Sequence, residues 1–163
     1  MSNNYKVIAQ NKQARFNYEL VEIIEAGIVL MGSEVKSLRL CKTSINESFV
    51  WEYKEHITKT TFQGLFLLNA TISEYPQAKN FGHTAKRPRA LLLKKKQLAK
   101  FQSAIHKKGM TIVPLRLYFN NRGIAKLEIA LAKGKQTHDK RQTLKDRDWN
   151  REKGRILKNQ GRD

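Results

Sequence analysis

The chain is poor in cysteine, in acids and in long apolar runs. Its single cysteine, Cys41, has no second thiol to pair with, and it excludes a cysteine-rich zinc site. No stretch has the length or apolarity of a transmembrane helix. The opening Met-Ser-Asn-Asn-Tyr-Lys lacks the apolar centre of a secretory signal. A cytoplasmic protein that does not enter the membrane is the resulting expectation. Acids are scarce as well: 14 Asp and Glu face 32 Lys and Arg, for a net charge of +18. Self-repulsion at that charge disfavours compactness, so the natural partner is a polyanion. Nucleic acid or the ribosome comes first and a membrane surface second.

Catalytic signatures are missing too. There is no P-loop, no Gly-x-Gly-x-x-Gly and no serine nucleophile elbow. The four histidines, His56, His83, His106 and His138, show no helical metal spacing, and the first three read as surface or loop side chains. His138-Asp139-Lys140 invites comparison with a nuclease, which would lose RNA cleavage on His138→Ala. General acid–base chemistry, however, needs a pocket that tunes the pKa of a positioned group, and a solvated arm supplies none. The expectation is a protein that is not an enzyme, with neither metal nor cofactor.

What is present is organised around Gly123 to Arg141. Ala125, Leu127, Ile129 and Leu131 alternate with Lys126 and Glu128, the period of a half-buried strand. The apolar residues stop at Lys133. From Lys133 to Asp163, eleven Lys and Arg stand against five acids, and the only large apolar side chains are Leu144, Trp149, Ile156 and Leu157. The chain therefore divides into residues 1–132, with a core, and a basic arm, 133–163.

Upstream, Arg15 to Ile24 reads as a strand with Tyr18, Leu20 and Ile24 on one face and Val21 and Ile23 on the other. Glu25-Ala26-Gly27 reads as a tight turn. Ser33 then caps a short helix, to about Leu40, that turns Val35 and Leu38 inward and Lys36 and Arg39 outward. Phe49, Trp51 and Tyr53 share a strand face, and Thr60 to Ile72 is β-rich. From Ser73 to Pro88 runs a long basic loop. Lys94 to Lys108 predicts a helix with Leu98, Phe101 and Ile105 on one face and Gly109 at its end. Thr111 to Phe119 is a strand with Val113, Leu115, Leu117 and Phe119 together, and Pro114 within it demands an edge or a bulge. Asn120-Asn121-Arg122-Gly123 returns the chain as a hairpin. Short strands with both faces partly apolar and helices at their flanks suit a small closed, OB-like barrel, mainly β.

Several blocks carry a family resemblance: Glu25-Ala26-Gly27-Ile28-Val29-Leu30, Gly32-Ser33-Glu34-Val35-Lys36-Ser37-Leu38-Arg39, Arg87-Pro88-Arg89-Ala90-Leu91-Leu92-Leu93, and Ala132-Lys133-Gly134-Lys135 with His138-Asp139-Lys140-Arg141. In this order and at this spacing, from about Asn11 to Asn159, the chain resembles small protein B (SmpB), the partner of transfer-messenger RNA (tmRNA) in bacterial ribosome rescue. The resemblance implies an OB-like barrel with a C-terminal tail that is disordered when free. The barrel would bind the tRNA-like domain as a monomer in a one-to-one complex. Delivered by elongation factor Tu with GTP, the complex would enter the A site of a stalled ribosome. There the tail would probe the empty decoding centre of the small-subunit rRNA and the mRNA channel, folding to a helix.

Residue by residue, the resemblance places Glu25 on the RNA-binding face, with Leu92 and Lys94 beside it and Lys36 and Arg39 from the second block. A carboxylate cannot bind phosphate but accepts from a base N–H or a 2′-OH. Arg87 and Arg89 read independently as phosphate clamps, because the guanidinium fork matches phosphate. Gly134, Lys135, His138, Asp139, Lys140 and Arg141 match the block for the decoding centre. Trp149 and Ile156, seven residues apart between Trp149 and Leu157, would share one face of the tail helix. Two departures stand out: Gln136 replaces the second lysine of the family's Gly-Lys-Lys, and the stretch from Tyr53 to Gly64 is longer than the family leads one to expect. A general single-stranded RNA-binding or ribosomal barrel protein is the alternative reading.

Overall fold

The alternation that starts at Ala125 becomes the last strand of a barrel. The computed structural model describes residues 6–40, 43–57, 60–135, 144–153 and 155. Nine strands are β1 (Lys6–Gln10), β2 (Tyr18–Ile28), β3 (Thr43–Ser44), β4 (Phe49–Ile57), β5 (Thr60–Leu68), β6 (Thr71–Ile72), β7 (Arg89–Leu92), β8 (Met110–Phe119) and β9 (Ala125–Gly134). Between them lie α1 (Ala14–Asn17), α2 (Gly32–Arg39) and α3 (Lys95–Ile105). The main sheet runs β1-β8-β4-β5-β7-β2-β9, and β9 pairs back onto β8, closing a six-strand ring with β1 alongside β8. All pairings are antiparallel. The seam between β4 and β8 is thin, a single pair, Val50 with Ile112. Mainly β with flanking helices, the barrel is of the expected class.

Inside the ring, Val50, Leu65, Leu67, Leu91, Ile112, Leu117, Leu127 and Ile129 are buried, roofed by Leu38 of α2 and by Phe101 and Ile105 of α3. Side chains of this size stabilise by about 1.5–3 kcal/mol each when fully buried. Pro114 does cause a bulge: the β8–β9 register shifts between Pro114 and Arg116. The bulge overturns the expectation that Val113, Leu115, Leu117 and Phe119 share one face. Val113 and Leu115 pack with Ala14, Ala130 and Ala132 on the opposite side, under α1, whereas Leu117 and Phe119 enter the main core.

Other boundaries moved as well. Glu25-Ala26-Gly27 is not a turn, since β2 runs straight through to Ile28 and pairs with β9 along its length. The first residues of the expected strand, to Asn17, form α1 instead. At α2 the N-cap is Met31, not Ser33: the Glu34 carboxylate accepts from the Met31 N–H at 2.7 Å. Helix α3 ends at Ile105, three residues before Lys108, and Gly109, at φ 81°, supplies the left-handed turn into β8. The stretch between Tyr53 and Gly64 forms the end of the β4–β5 hairpin, whose register runs from Phe49 with Leu68 to Ile57 with Thr60. On that hairpin Phe49, Trp51 and Tyr53 all face solvent.

The basic stretch 73–88 is tied down along its length. It contains a 3-10 turn at Pro76–Phe81, and the Ile72 N–H donates to the Ala85 carbonyl at 3.0 Å. His83, read as a surface or loop histidine, is buried. Its Nε2 lies 3.2 Å from the Ile72 carbonyl, which can only accept, so Nε2 carries the proton. In the neutral ring Nδ1 then accepts from Ser33 Oγ at 2.9 Å. Downstream, residues 144–153 are helical and exposed throughout. The tail helix expected over 149–157 is thus already formed at 144, and both of its ends lie outside the described residues.

Candidate nucleic-acid interface

Because β2 continues past Glu25, this carboxylate stands on the outer wall of the barrel with β7 on one side and β9 on the other. Gly27 pairs with Leu92, and a Cβ on Gly27 would come within 3.1 Å of the Leu92 Cβ. Glycine is needed here for this close approach of two strands, not for a turn. The approach leaves Leu92 53% exposed beside the carboxylate. An open groove of about 650 Å³ results, lined by Ile23, Glu25, Gly27, Leu92, Lys94 and Lys126 among others. Glu25, Leu92 and Lys94, separate in sequence, are thereby brought together. Lys94 caps α3, its N–H donating to Gln97 Oε1 at 3.3 Å.

Two further residues belong here that the sequence reading missed. The Tyr118 hydroxyl donates to Glu25 Oε2, and Lys126 Nζ lies 3.3 Å from Oε1. The Tyr118 hydrogen bond holds the Glu25 carboxyl below its ordinary value, against a smaller push upward from burial and with help from Lys126. Glu25 is half exposed and ionised, with cations at its flanks: an acceptor on a basic surface. The signal for Lys126 was its place among the polar, outward positions of the β9 alternation. Nothing local said that β9 lies beside β2.

Lys36 and Arg39 project from the exposed side of α2, as expected, and the Lys36 ammonium sits 5.6 Å from the centre of the Tyr75 ring. Neither is among the residues lining the groove. Arg87 and Arg89 require correction. Arg89 is 0% exposed: Nε binds Glu34 Oε1 at 2.7 Å, Nη1 the Ala70 carbonyl at 2.7 Å and Nη2 the Ala85 carbonyl at 2.9 Å. A fork enclosed by three protein acceptors cannot meet a phosphate. Arg87 spends its fork similarly, on Glu34 at 3.0 and 2.7 Å and on the Val29 and Pro88 carbonyls at 3.3 and 3.1 Å. Arg89 is structural, and Arg87, 17% exposed, is held on Glu34 from the barrel's surface. Burial pushes the Glu34 carboxyl up, but the bonds from Arg87, the Met31 N–H and Arg89 outweigh it and hold the group below its ordinary value.

Of the tail residues, Gly134 is still in β9, paired with Tyr18. Lys135 is tethered to the barrel as well: its N–H donates to the Asn17 carbonyl at 3.1 Å and its Nζ to the Arg15 carbonyl at 3.2 Å. His138, Asp139, Lys140, Arg141 and Ile156 lie outside the described residues, as does Gln136. Trp149 is 66% exposed on the helix at 144–153. His106 stays at the surface, 3.4 Å from Glu52 and edge-on to Trp51. Among the described residues no group of three His, Cys, Asp or Glu could hold a metal ion, and no helix is long and apolar enough to cross a membrane.

The family model described as "SmpB protein" matches residues 8–159. The SsrA-binding protein of Beijerinckia indica subsp. indica is 53% identical over 154 residues, covering 94% of this chain and 93% of its own. That of Rhodopseudomonas palustris (strain HaA2) is 54% identical over 156 residues, covering 96% and 94%. A solved structure described as "tmRNA-SmpB: a journey to the center of the bacterial ribosome" is similar with a TM-score of 0.59 and 39% identity, over 78% of this chain and 84% of its own. The match takes in the barrel, the groove and the basic arm alike, and the chain belongs to the SmpB protein family.

Proposed function

We infer that this chain binds the tRNA-like domain of tmRNA and brings it to the A site of ribosomes stalled without a codon, where trans-translation tags the nascent peptide. The observation that carries this reading is the groove in which Glu25, Leu92, Lys94 and Lys126 meet on a chain of net charge +18. Lysines draw in the RNA backbone, and Leu92 offers an apolar surface to a splayed base. Glu25 accepts from a base N–H or 2′-OH and so reads shape rather than charge. Lys36 and Arg39 contribute phosphate contacts away from the groove.

The arm after Lys135 takes the second task, at the decoding centre and mRNA channel. His138 suits stacking on an rRNA base, and Lys140 and Arg141 suit its phosphates. An exposed, charged helix this short is marginal alone, so it is stabilised by the channel it enters. The division of labour between a barrel and an arm, a monomer bound one-to-one and delivery with elongation factor Tu and GTP complete the reading. Its setting is the cytoplasm, and it asks no bond-making step of the protein.

Glu25→Gln tests the site. Loss of a charged acceptor costs about 1.5–3 kcal/mol when its donors remain, so affinity for a transcript of the tRNA-like domain should fall roughly tenfold or more. The substitution makes the protein more basic, so affinity for unrelated duplex RNA should hold or rise. A gel shift on both RNAs decides the matter. Equal or tighter binding of the tRNA-like domain would reduce Glu25 to a partner of Tyr118 and favour the general RNA-binding alternative.

A further inference from the structure

We propose that Tyr118 is a positioning residue for RNA recognition: its hydroxyl, reaching from β8 across β9, aims the Glu25 carboxylate of β2 into the groove. The proposal rests on the reading of Glu25 as an RNA-binding group.

The sheet register sets the problem that Tyr118 answers. Glu25 lies directly opposite Glu128 on β9, and like charges in facing positions repel. Arg116, opposite Glu128 on β8, settles one of the two with bonds of 3.1 and 2.5 Å to Oε2. On β9 the residue that Glu25 faces is an acid, not a cation. Its partners come from the next row, where Gly27, Lys126 and Tyr118 stand side by side on β2, β9 and β8. With no side chain on Gly27, Lys126 and Tyr118 can lean toward Glu25, one to each carboxylate oxygen.

The two partners differ in kind. Lys126 is a mobile point charge, whereas Tyr118 is a stiff ring with a single donor, and the Arg116 guanidinium lies 5.8 Å from the ring's centre. The phenol stays a donor at any physiological pH, since burial, then Glu25, pushes it up to about 12. A carboxylate keeps acceptor positions beyond these two contacts. Oriented before the RNA arrives, Glu25 loses little rotamer freedom on binding. Tyr118 therefore acts through Glu25.

Tyr118→Phe removes one oxygen and keeps the ring. Binding of the tRNA-like transcript should weaken about three- to tenfold, while the melting temperature and the salt dependence of binding stay as they were, no phosphate contact being lost. On the Glu25→Gln background the same change should have almost no further effect. By NMR titration, the Glu25 carboxyl should titrate below its ordinary 4.5 in the parent chain and move up in Tyr118→Phe.

The outcomes separate the two claims. If Glu25→Gln leaves binding intact, the reading of the groove fails. If Glu25→Gln weakens binding and Tyr118→Phe does not, positioning alone fails. A full additional loss in the double variant would make Tyr118 a direct contact or a structural one, and overturns the proposal. So does an unshifted Glu25 in the parent chain, which needs no variant to fold.

Discussion

Glu34→Ala is expected to destabilise the barrel by about 3–5 kcal/mol, the usual result of removing one partner from a buried ion pair. The carboxylate is 0% exposed and binds Arg89 and Arg87 at 2.7 Å each. Without it, Arg89 remains fully enclosed and its charge uncompensated, with only the Ala70 and Ala85 carbonyls as acceptors. The Met31 N–H at the start of α2 loses its acceptor too. Urea unfolding should register the loss, and the melting temperature should drop on the order of 10 °C. A loss below about 1 kcal/mol would mean that water reaches Arg89 when Glu34 is gone, against the enclosure described above.

The pH dependence has a definite sign. A carboxyl held below its ordinary value contributes stability that is fully present above that value, 4.5, and is lost as pH falls through the folded pKa. The parent chain should lose stability in acid, and Glu34→Ala should lose less over the same window. RNA binding should suffer as well. Strand β7 is only four residues long, it starts at Arg89 and it carries Leu92 into the groove. Loosening one end of it loosens the other.

Cutting the chain after Lys135 is expected to have the largest effect on activity: alanine transfer from tmRNA on ribosomes stalled at a truncated message should be abolished. Binding of the tRNA-like domain should fall no more than a few-fold. The cut leaves β9, the Gly134–Tyr18 pair and both Lys135 tethers in place. Ending at Lys133 instead would remove those contacts and blur the comparison. Because the cut also removes nine cations and five acids, charge has to be separated from shape. Trp149→Ala with Ile156→Ala does so at constant charge, and a peptidyl-transfer assay beside filter binding reads both. Normal transfer by the double variant would leave the arm a diffuse polycation. Lost RNA binding by the truncated chain would dissolve the division between barrel and arm.

Much of this architecture is written in local patterns. The alternation of Ala125 to Leu131 announced β9, the spacing of Leu98, Phe101 and Ile105 announced the buried face of α3, and Pro114 announced a bulge. Each is a matter of period or of backbone chemistry within a few residues. Charge and the spaced blocks pointed to an RNA partner for the same reason, since both can be counted along the chain. The errors have a common cause as well. Glu25-Ala26-Gly27 looked like a turn because glycine permits one, but Gly27 serves a neighbour sixty-five positions away, Leu92.

Arg87 and Arg89 looked like phosphate clamps because an arginine fork fits phosphate and carboxylate equally. Only the fold brought Glu34 to them and shut Arg89 from water. His83 likewise met Ser33 and the Ile72 carbonyl only after the 73–88 segment had closed over α2. Lys126 showed in sequence only as an outward position of β9 and Tyr118 not at all, because closing the ring is what sets β9 between β2 and β8 and so places both beside Glu25. The sequence by itself determined the later strands and the two longer helices, the sign of the partner and the family. Which cations stay at the surface and which face a buried carboxylate was decided by the tertiary structure, because contacts between distant residues exist only once the barrel has closed.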